Sequence, residues 1–253
     1  MTSSTPVNRL RAVFFDLGGT LFSNRQIPEA CMPVLQEAAD RLAVEGGLPA
    51  VGRAFVEATQ TTNADYVGRA YYLHRDLFLD TVRQMLGALD VGEPEGFIEW
   101  FYRSQRAVVT SQMVLREDCL ETLSVLRSRG LHLSIVSNID DDFLEPMMEK
   151  LGLAAYFDHW TSSESARSCK PDSGIFEHAM LTAACAPEEA LFVGDSRVHD
   201  IQGASRAGIR SALLAEGGFS HLDDPDLVVD PDYVIKSLSE LLELDVTQGE
   251  GAA

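Results

Sequence analysis

The sequence predicts an α/β protein built on a doubly wound parallel sheet, with an α-helical unit inserted after the first strand. Two observations support this fold class. Short apolar runs alternate with helical patterns through the second half of the chain, an order typical of parallel sheets. Between the first apolar run and the second, residues 24–114 have helical periodicity only. We therefore expect one sheet-based core interrupted by a helical insert.

The first predicted strand is the apolar run at 12–15, which is followed by Asp16, Leu17 and two glycines. A short run rich in Val and Phe is typical of a buried strand, and the Gly-Gly pair predicts a turn at its end. Asp16 would then lie at the carboxyl end of a strand, where open parallel sheets bind their ligands. An aspartate that only accepts hydrogen bonds from turn amides would fit the same local pattern.

The insert is predicted to contain four amphipathic helices. Apolar residues recur at i, i+3 and i+4 over residues 30–42, 51–58, 73–89 and 97–101. Glycine and proline interrupt this pattern at 46–49 and 92–94, where helices are expected to end.

Strands and helices alternate after the insert. Strands are predicted at 132–136, 156–160, 190–193, 209–214 and 233–235. Helices are predicted at 118–129, 140–150 and 172–184 and around Asp200 as far as Gly208, with a polar loop at 161–168. Asp16, Ser137 and Asp195 each follow a predicted strand, so all three should lie at one edge of the sheet.

Charge and cysteine content narrow the functional class. The formal net charge is −19, from 39 acidic and 20 basic residues, and such a field repels nucleic acid and anionic membrane surfaces. No stretch approaches the roughly 18 apolar residues of a membrane helix, and the polar segment 1–11 lacks the apolar run of a signal peptide. The 4 cysteines show no Cys-x-x-Cys spacing, which favours reduced thiols. We therefore expect a cytoplasmic protein that binds neither nucleic acid nor membrane.

The negative field also opposes anionic substrates, so a phosphate site would need a local cation or metal. Lysines are scarce, and Lys150, Lys170 and Lys236 are the lysines of the chain. The position of each lysine is therefore informative.

Four motifs, in order, resemble those of a known family. Asp16 with Thr20, in Asp-x-Gly-Gly-Thr, resembles the first phosphate-binding loop of actin-like sugar kinases and also the first motif of the haloacid dehalogenase-like (HAD) hydrolases. Ser137, Lys170-Pro171 and the segment 194–200 resemble the second, third and fourth HAD motifs. Sugar kinases have no use for the last two elements, so the resemblance favours a HAD hydrolase of subfamily I.

The resemblance implies a domain organisation and a nucleophile. A Rossmann-like HAD core is expected at 1–23 and 115–253, and a helical cap at 24–114. Asp16 is the implied nucleophile, which would attack phosphorus to give an aspartyl-phosphate.

The resemblance also implies a Mg²⁺ cofactor. Its implied ligands are the carboxylates of Asp16 and Asp195 and the backbone carbonyl of Gly18, with Asp200 either binding the ion or steadying it through water. Lys170 would neutralise the nucleophile and the phosphoryl oxygens, and Ser137 and Thr20 would hydrogen-bond the transferring group. The implied substrate-binding residues are Ser137, Asn138 and Lys170.

One position departs from the family pattern. Two residues after the nucleophile, HAD phosphatases carry an aspartate that protonates the leaving oxygen and later activates water, and here that residue is Gly18. General acid-base help is worth about 10²–10⁴-fold, so a phosphatase with this sequence lacks its usual proton donor. The metal ligand from this position survives, because it is a main-chain carbonyl.

Relatives without this aspartate provide alternatives. Phosphonoacetaldehyde hydrolases use a cap lysine, and residues 24–115 contain no lysine. Haloacid dehalogenases attack carbon without a metal and lack the element that Gly194-Asp195 supplies. The leading hypothesis is a Mg²⁺-dependent hydrolase of a small phosphorylated metabolite. A dehalogenase acting at carbon, and a phosphate- and metal-binding scaffold protein with weakened catalysis, stay open as alternatives.

Overall fold

The computed structural model describes residues 10–215 and 229–247. The chain divides into two compact units, which are residues 1–23 with 115–253, here the core unit, and residues 24–114, here the helical unit. The interpretation of the polar segment 1–11 falls mainly on residues 1–9, outside the described part of the chain. Among the described residues, no helix is long and apolar enough to cross a membrane.

The core unit contains a sheet in which all neighbouring strands are parallel. Within the described residues its strands are β1 Ala12–Phe15, β2 His132–Ser137, β3 His159–Ser162, β4 Ala190–Gly194, β5 Arg210–Leu214 and β6 Tyr233–Ile235. Their order across the sheet is β3-β2-β1-β4-β5-β6. The chain winds from β1 through β2 and β3 in one direction and through β4 to β6 in the other. The predicted doubly wound parallel α/β fold is confirmed.

The register of β1 determines which residues meet at the carboxyl edge of the sheet. Phe15, the last residue of β1, pairs with Val193 of β4, and the N–H of Asp16 donates to the Val193 carbonyl at 2.9 Å. Ser137 ends β2, and Asp195 directly follows β4. Because β1, β2 and β4 are parallel neighbours, these polar residues follow the strands at the edge where the strand order reverses.

The helical unit is built from the four helices that the periodicity predicts. They are α1 Ile27–Leu42, α2 Gly47–Tyr66, α3 His74–Ala88 and α4 Phe97–Gln112. Val51 of α2, Met85 of α3 and Phe101 of α4 are fully buried in one apolar cluster. The apolar stripes of the sequence therefore form the interior of this unit.

The core unit has further helices, described here as α5 Cys119–Ser128, α6 Asp141–Lys150, α7 Ser163–Ala166, α8 Ser173–Ala183 and α9 Gly203–Arg206. Helix α8 packs against the sheet, with the ring of Phe176 edge-on to Phe192 of β4 at a centroid distance of 5.0 Å. Ile175 and Ala179 are fully buried in the same cluster. This packing supports β4, the strand that carries Asp195 at its end.

Two neighbouring sequence predictions, a strand and the loop after it, are wrong in detail. The strand predicted at 156–160 lies at His159–Ser162, and the predicted loop at 161–168 contains the end of that strand and α7. The serines that resemble loop residues act as a helix cap, since Ser162 Oγ accepts the N–H of Ser165 at 2.8 Å. The helix predicted around Asp200 is a π-helical segment, Arg197–Gln202, followed by the short α9.

Candidate active site

Three carboxylates converge at the carboxyl edge of the sheet. Asp16 follows β1, Asp195 follows β4, and Asp200 lies in the π-helical segment. One carboxylate oxygen of each lies within 4.8 Å of those of the other two. The sequence predicts that Asp16 and Asp195 share this edge, and the structure brings Asp200 into the same group.

Gly194 makes room for Asp200. A Cβ placed on Gly194 would lie 2.3 Å from Asp200 Oδ2, so any larger residue would displace this carboxylate. The N–H of Ser196 donates to the same oxygen at 2.9 Å. The π-helical segment therefore folds Asp200 back against the end of β4, where its side chain is 1 % exposed.

Lys170 joins two of the carboxylates. Its Nζ lies 2.7 Å from Asp16 Oδ1 and 2.7 Å from Asp200 Oδ1, and its side chain is 2 % exposed. Asn138, just after β2, holds the backbone of Lys170 on both sides: its Oδ1 accepts the Lys170 N–H at 2.7 Å and its Nδ2 donates to the Lys170 carbonyl at 2.9 Å. Asn138 therefore positions the ammonium group, while its implied contact with substrate stays a prediction.

Both oxygens of Asp16 are held. Lys170 occupies Oδ1, and the hydroxyl of Thr20 donates to Oδ2 at 3.1 Å. Thr20 is fully buried, whereas Asp16 keeps a small exposed fraction of 7 %. Ser137 ends the neighbouring strand and is 6 % exposed. These residues lie in the core unit.

The glycine pair after Asp16 shapes the backbone of the loop. The N–H of Gly19 donates to the Phe22 carbonyl at 2.8 Å. Because the C=O and N–H of a trans peptide point in opposite directions, the carbonyl of Gly18 is directed away from Phe22. Gly19 itself has a φ of +91°, and a Cβ there would lie 2.1 Å from Asp195 Oδ2. Only glycine fits between this loop and Asp195 without displacing the carboxylate.

A first prediction concerns this close approach. Gly19→Ala should destabilise the protein by about 1–2 kcal/mol, the cost of placing alanine in a left-handed conformation. It should also displace Asp195 and so reduce the stabilisation that we expect from Mg²⁺. Gly130→Ala is the matched control, because Gly130 has a φ of +78° with nothing within 4 Å of an added Cβ. Urea unfolding with and without Mg²⁺ measures both effects. Equal retention of the Mg²⁺ effect in the two variants would contradict the prediction.

The charges of the site are not balanced by its own residues. Burial raises the pKa of the Asp16 carboxyl, with the charge of Lys170 opposing and that of Asp200 adding to the effect. Burial, followed by the charges of Asp16 and Asp200, raises the pKa of Asp195 to about 7. Burial alone would lower the pKa of Lys170, but the two carboxylates beside it raise it. The three carboxylates face a single ammonium group, so negative charge is in excess. Their oxygens are the ligand atoms that a hard divalent cation prefers.

The raised pKa of Asp195 predicts a pH dependence. Its folded-state pKa of about 7 lies above the ordinary value of 3.8, so between these values the metal-free folded protein binds more protons than the unfolded chain. The free energy of unfolding should therefore fall as the pH rises through this range. The Mg²⁺ ion that the family resemblance implies would compete with that proton, and is expected to stabilise the protein more at pH 8 than at pH 5.

The measurement is Tm with EDTA or with Mg²⁺ at both pH values, in the wild type and in Asp195→Asn. The substitution should remove most of the difference between the two pH values, because asparagine does not titrate. The same pH dependence in both proteins would show that other carboxylates cause it.

Two contributors to the site were missed by the sequence analysis. The amide of Ser196 orients Asp200, and the guanidinium of Arg116 donates to backbone carbonyls of the loop after Asp16. Arg116 is 96 residues from Thr20, and no local pattern connects the two. Ser196 and Asp200 are four residues apart in the sequence, as in the first turn of a helix. This spacing could have indicated the contact between the Ser196 amide and Asp200.

Comparison with known proteins identifies the family. The model of the haloacid dehalogenase-like hydrolases matches residues 10–208. The chain belongs to the haloacid dehalogenase-like hydrolases. The family recognised from the four motifs is thus confirmed, and with it the assignment of the chain as a hydrolase.

Individual HAD relatives cover nearly the whole chain. Haloacid dehalogenase-like hydrolase domain-containing protein 3 of Bos taurus is 32% identical, over 96% of this chain and 97% of the relative. A phosphoglycolate phosphatase of Escherichia coli O157:H7 is 29% identical, over 92% of this chain and 91% of the relative.

Solved HAD structures share the fold. A putative HAD hydrolase from Bacillus subtilis, bound to magnesium, superposes with a TM-score of 0.70 at 19% identity, covering 93% of this chain and 98% of its own. An L-2-haloacid dehalogenase from Xanthobacter autotrophicus gives a TM-score of 0.65 at 22% identity, covering 93% and 98%. Because the fold is common to both, it does not determine the reaction, which depends on the residues of the site.

Proposed function

We propose that this HAD hydrolase is a Mg²⁺-dependent phosphatase of a small phosphorylated metabolite, acting through an aspartyl-phosphate on Asp16. The observation that carries the proposal is the cluster of Asp16, Asp195 and Asp200 around Lys170 at the carboxyl edge of the sheet. A nucleophile for attack on carbon needs neither Asp195 nor a cation. A nucleophile that meets a phosphate dianion needs both charge compensation and a tightly held geometry.

The proposed chemistry has two displacements. In the first, a carboxylate oxygen of Asp16 forms a bond to phosphorus, while the bond from phosphorus to the ester oxygen breaks and that oxygen leaves with the electron pair. In the second, water attacks the phosphorus of the aspartyl-phosphate, the bond from phosphorus to the Asp16 oxygen breaks, and that oxygen keeps the electron pair, which restores the carboxylate and releases inorganic phosphate. The attacking water gives up one proton to solvent, from which the departed alkoxide takes one up. Splitting the reaction in this way replaces one difficult displacement with two easier ones.

Residues of the core unit would prepare both displacements. Lys170, 2.7 Å from Asp16 Oδ1, opposes the rise in the Asp16 pKa that burial causes and would offer its charge to the phosphoryl oxygens. Thr20 fixes the other oxygen of Asp16. Ser137, at the end of β2, is proposed to donate to the transferring group.

The metal would be held by Asp16, Asp195 and the Gly18 carbonyl, with Asp200 binding it or steadying it. When bound, Mg²⁺ supplies positive charge that compensates the approach of two anions. The excess of carboxylate over ammonium charge in this cluster supports this assignment.

Gly18 favours a second candidate, a scaffold protein that binds phosphate and metal with little turnover. The position offers no acid to protonate the leaving group. Tight binding without hydrolysis is therefore the outcome that would replace the proposal.

The test is a panel of phosphate esters assayed for phosphate release with Mg²⁺ and with EDTA. Relatives that bear the name phosphoglycolate phosphatase make 2-phosphoglycolate the first ester to include. Release of chloride from 2-haloacids without metal is assayed in parallel. We expect Mg²⁺-dependent phosphate release and no chloride release. Chloride release that Asp16→Asn abolishes would instead indicate a dehalogenase.

A further inference from the structure

We infer that Arg116 is a positioning residue for the catalytic loop, defined here as residues 17–22. The inference rests on the proposed function, because it concerns Mg²⁺ binding and phosphate transfer at Asp16. Arg116 follows Leu115, where the chain re-enters the core unit, and Leu115 forms an antiparallel bridge with Phe22 at the end of the loop. A residue distant in sequence is thus placed directly against the loop.

Arg116 binds three successive carbonyls of the catalytic loop. Its backbone N–H donates to the Leu21 carbonyl at 2.9 Å. Its Nε donates to the Thr20 carbonyl at 2.8 Å, and its Nη2 donates to the Gly19 carbonyl. Because the guanidinium is a planar and rigid fork, it fixes the Gly19 and Thr20 carbonyls relative to each other.

Fixing these carbonyls also fixes the groups that face the nucleophile. Thr20 lies between the two peptide groups that the guanidinium holds, so the direction of its hydroxyl towards Asp16 is set by them. The peptide after Thr20 is held at its other end as well, since the Leu21 N–H donates to the Leu17 carbonyl at 2.9 Å. The orientation of the peptide plane between Thr20 and Leu21 is therefore determined on both sides.

The loop needs such an external restraint because of its own sequence. Gly18 and Gly19 have no side chains that could hold it, and glycine has the largest backbone freedom of any residue. The Gly18 carbonyl is the proposed metal ligand, and Gly19 lies directly against Asp195. Loss of the Arg116 contacts should therefore loosen a metal ligand and the Thr20 contact to Asp16 together.

Arg129 provides a matched control. It is also half-buried, and its Nη1 donates to the carbonyls of Leu242 and Thr247 at 3.2 Å each. It precedes β2, so it lies towards the amino edge of the sheet, opposite the edge that carries Asp16. Arg129→Met thus removes a comparable pair of contacts without touching the catalytic loop.

The experiment measures Mg²⁺ affinity by isothermal titration calorimetry, and kcat and KM on a cleaved phosphate ester, for wild type, Arg116→Met, Arg116→Lys and Arg129→Met. Arg116→Met should weaken Mg²⁺ binding and lower kcat by about 10–100-fold each, the usual effect of losing a group that orients a metal ligand. KM should change less than kcat. Arg116→Lys should restore part of both, because an ammonium group can hold one carbonyl.

The direction of the Mg²⁺ effect separates positioning from charge. Removing a cation near three carboxylates would by itself strengthen Mg²⁺ binding, so a weaker affinity reports loss of geometry. Unchanged Mg²⁺ affinity in Arg116→Met, or equal losses in Arg116→Met and Arg129→Met, would overturn the inference. If Arg116→Met does not fold, the same comparison between Arg116→Lys and Arg129→Met decides.

Failure of the proposed function gives a different result. If Arg116→Met binds Mg²⁺ more weakly than wild type but the wild type hydrolyses no phosphate ester, the phosphatase assignment is overturned and the positioning role stays intact. If the wild type hydrolyses esters and Arg116→Met has the same Mg²⁺ affinity and kcat, the positioning role is overturned and the phosphatase assignment stands.

Discussion

Asp16→Asn should lower the rate of phosphate release by at least about 10³-fold, because an amide oxygen cannot replace the carboxylate as nucleophile. The fold should survive the change. Asparagine keeps an oxygen near Lys170, which retains its 2.7 Å contact with Asp200, and the substitution removes one of three mutually repelling carboxylates. Single-turnover phosphate release and urea unfolding measure the two effects separately.

Asp158→Asn is the control for loss of one negative charge in the same unit. Asp158 lies just before β3, where its Oδ2 accepts the Leu133 N–H at 3.0 Å, and asparagine can keep an acceptor there. We expect its phosphate release to match wild type. Phosphate release by Asp16→Asn at a rate close to wild type would refute the aspartyl-phosphate.

Gly18→Asp should raise the turnover of alkyl phosphates by about 10²-fold or more, the usual worth of a positioned general acid. In the proposed mechanism of the wild type, Asp16 attacks phosphorus, and the leaving alkoxide departs without a proton from residue 18. Esters with acidic leaving groups, such as aryl or acyl phosphates, should therefore be cleaved far better than alkyl phosphates by the wild type. The substitution should change the attack step on aryl phosphates less.

Gly18→Asn serves as the control, because it has nearly the same size as aspartate but no titratable proton. Hydrolysis of the aspartyl-phosphate could limit both substrates, so single-turnover rates are the quantity to compare. Equal alkyl phosphate rates for the Asp and Asn variants would refute the missing-acid explanation. Absence of turnover on every ester in all three proteins, with Mg²⁺ bound, would favour the scaffold function.

The sequence predicts the strand ends and the candidate site residues best where a residue type is compatible with few structural positions. A short apolar run followed by Asp16 and two glycines predicts the end of β1, and the scarcity of lysine makes the position of Lys170 informative. The strand ends also predicted that Asp16 and Asp195 share an edge. These features depend on local pattern and on the geometry of parallel sheets.

Other features depend on contacts that no local pattern encodes. The serines between 162 and 165 form a helix cap instead of a loop. The observed β3 therefore lies further along the chain than the predicted strand at 156–160. The side chain of Asn138 is engaged by the backbone of Lys170, 32 residues away. Arg116 contacts the catalytic loop, although the whole helical unit lies between them in the sequence. In each case the partner is chosen by the tertiary fold, and the same residue type would be ordinary elsewhere.

The pairing of β1 with β4 has a consequence for how this protein can be followed as it folds. Phe15 opposite Val193 is the register that brings Asp16 next to the end of β4, one residue short of Asp195. A slip of one residue would turn each side chain to the other face of the sheet, and the carboxylates would no longer converge. Binding of the proposed Mg²⁺ ion would therefore report correct strand pairing, and a refolding time course monitored by metal binding should lag behind one monitored by helical signal.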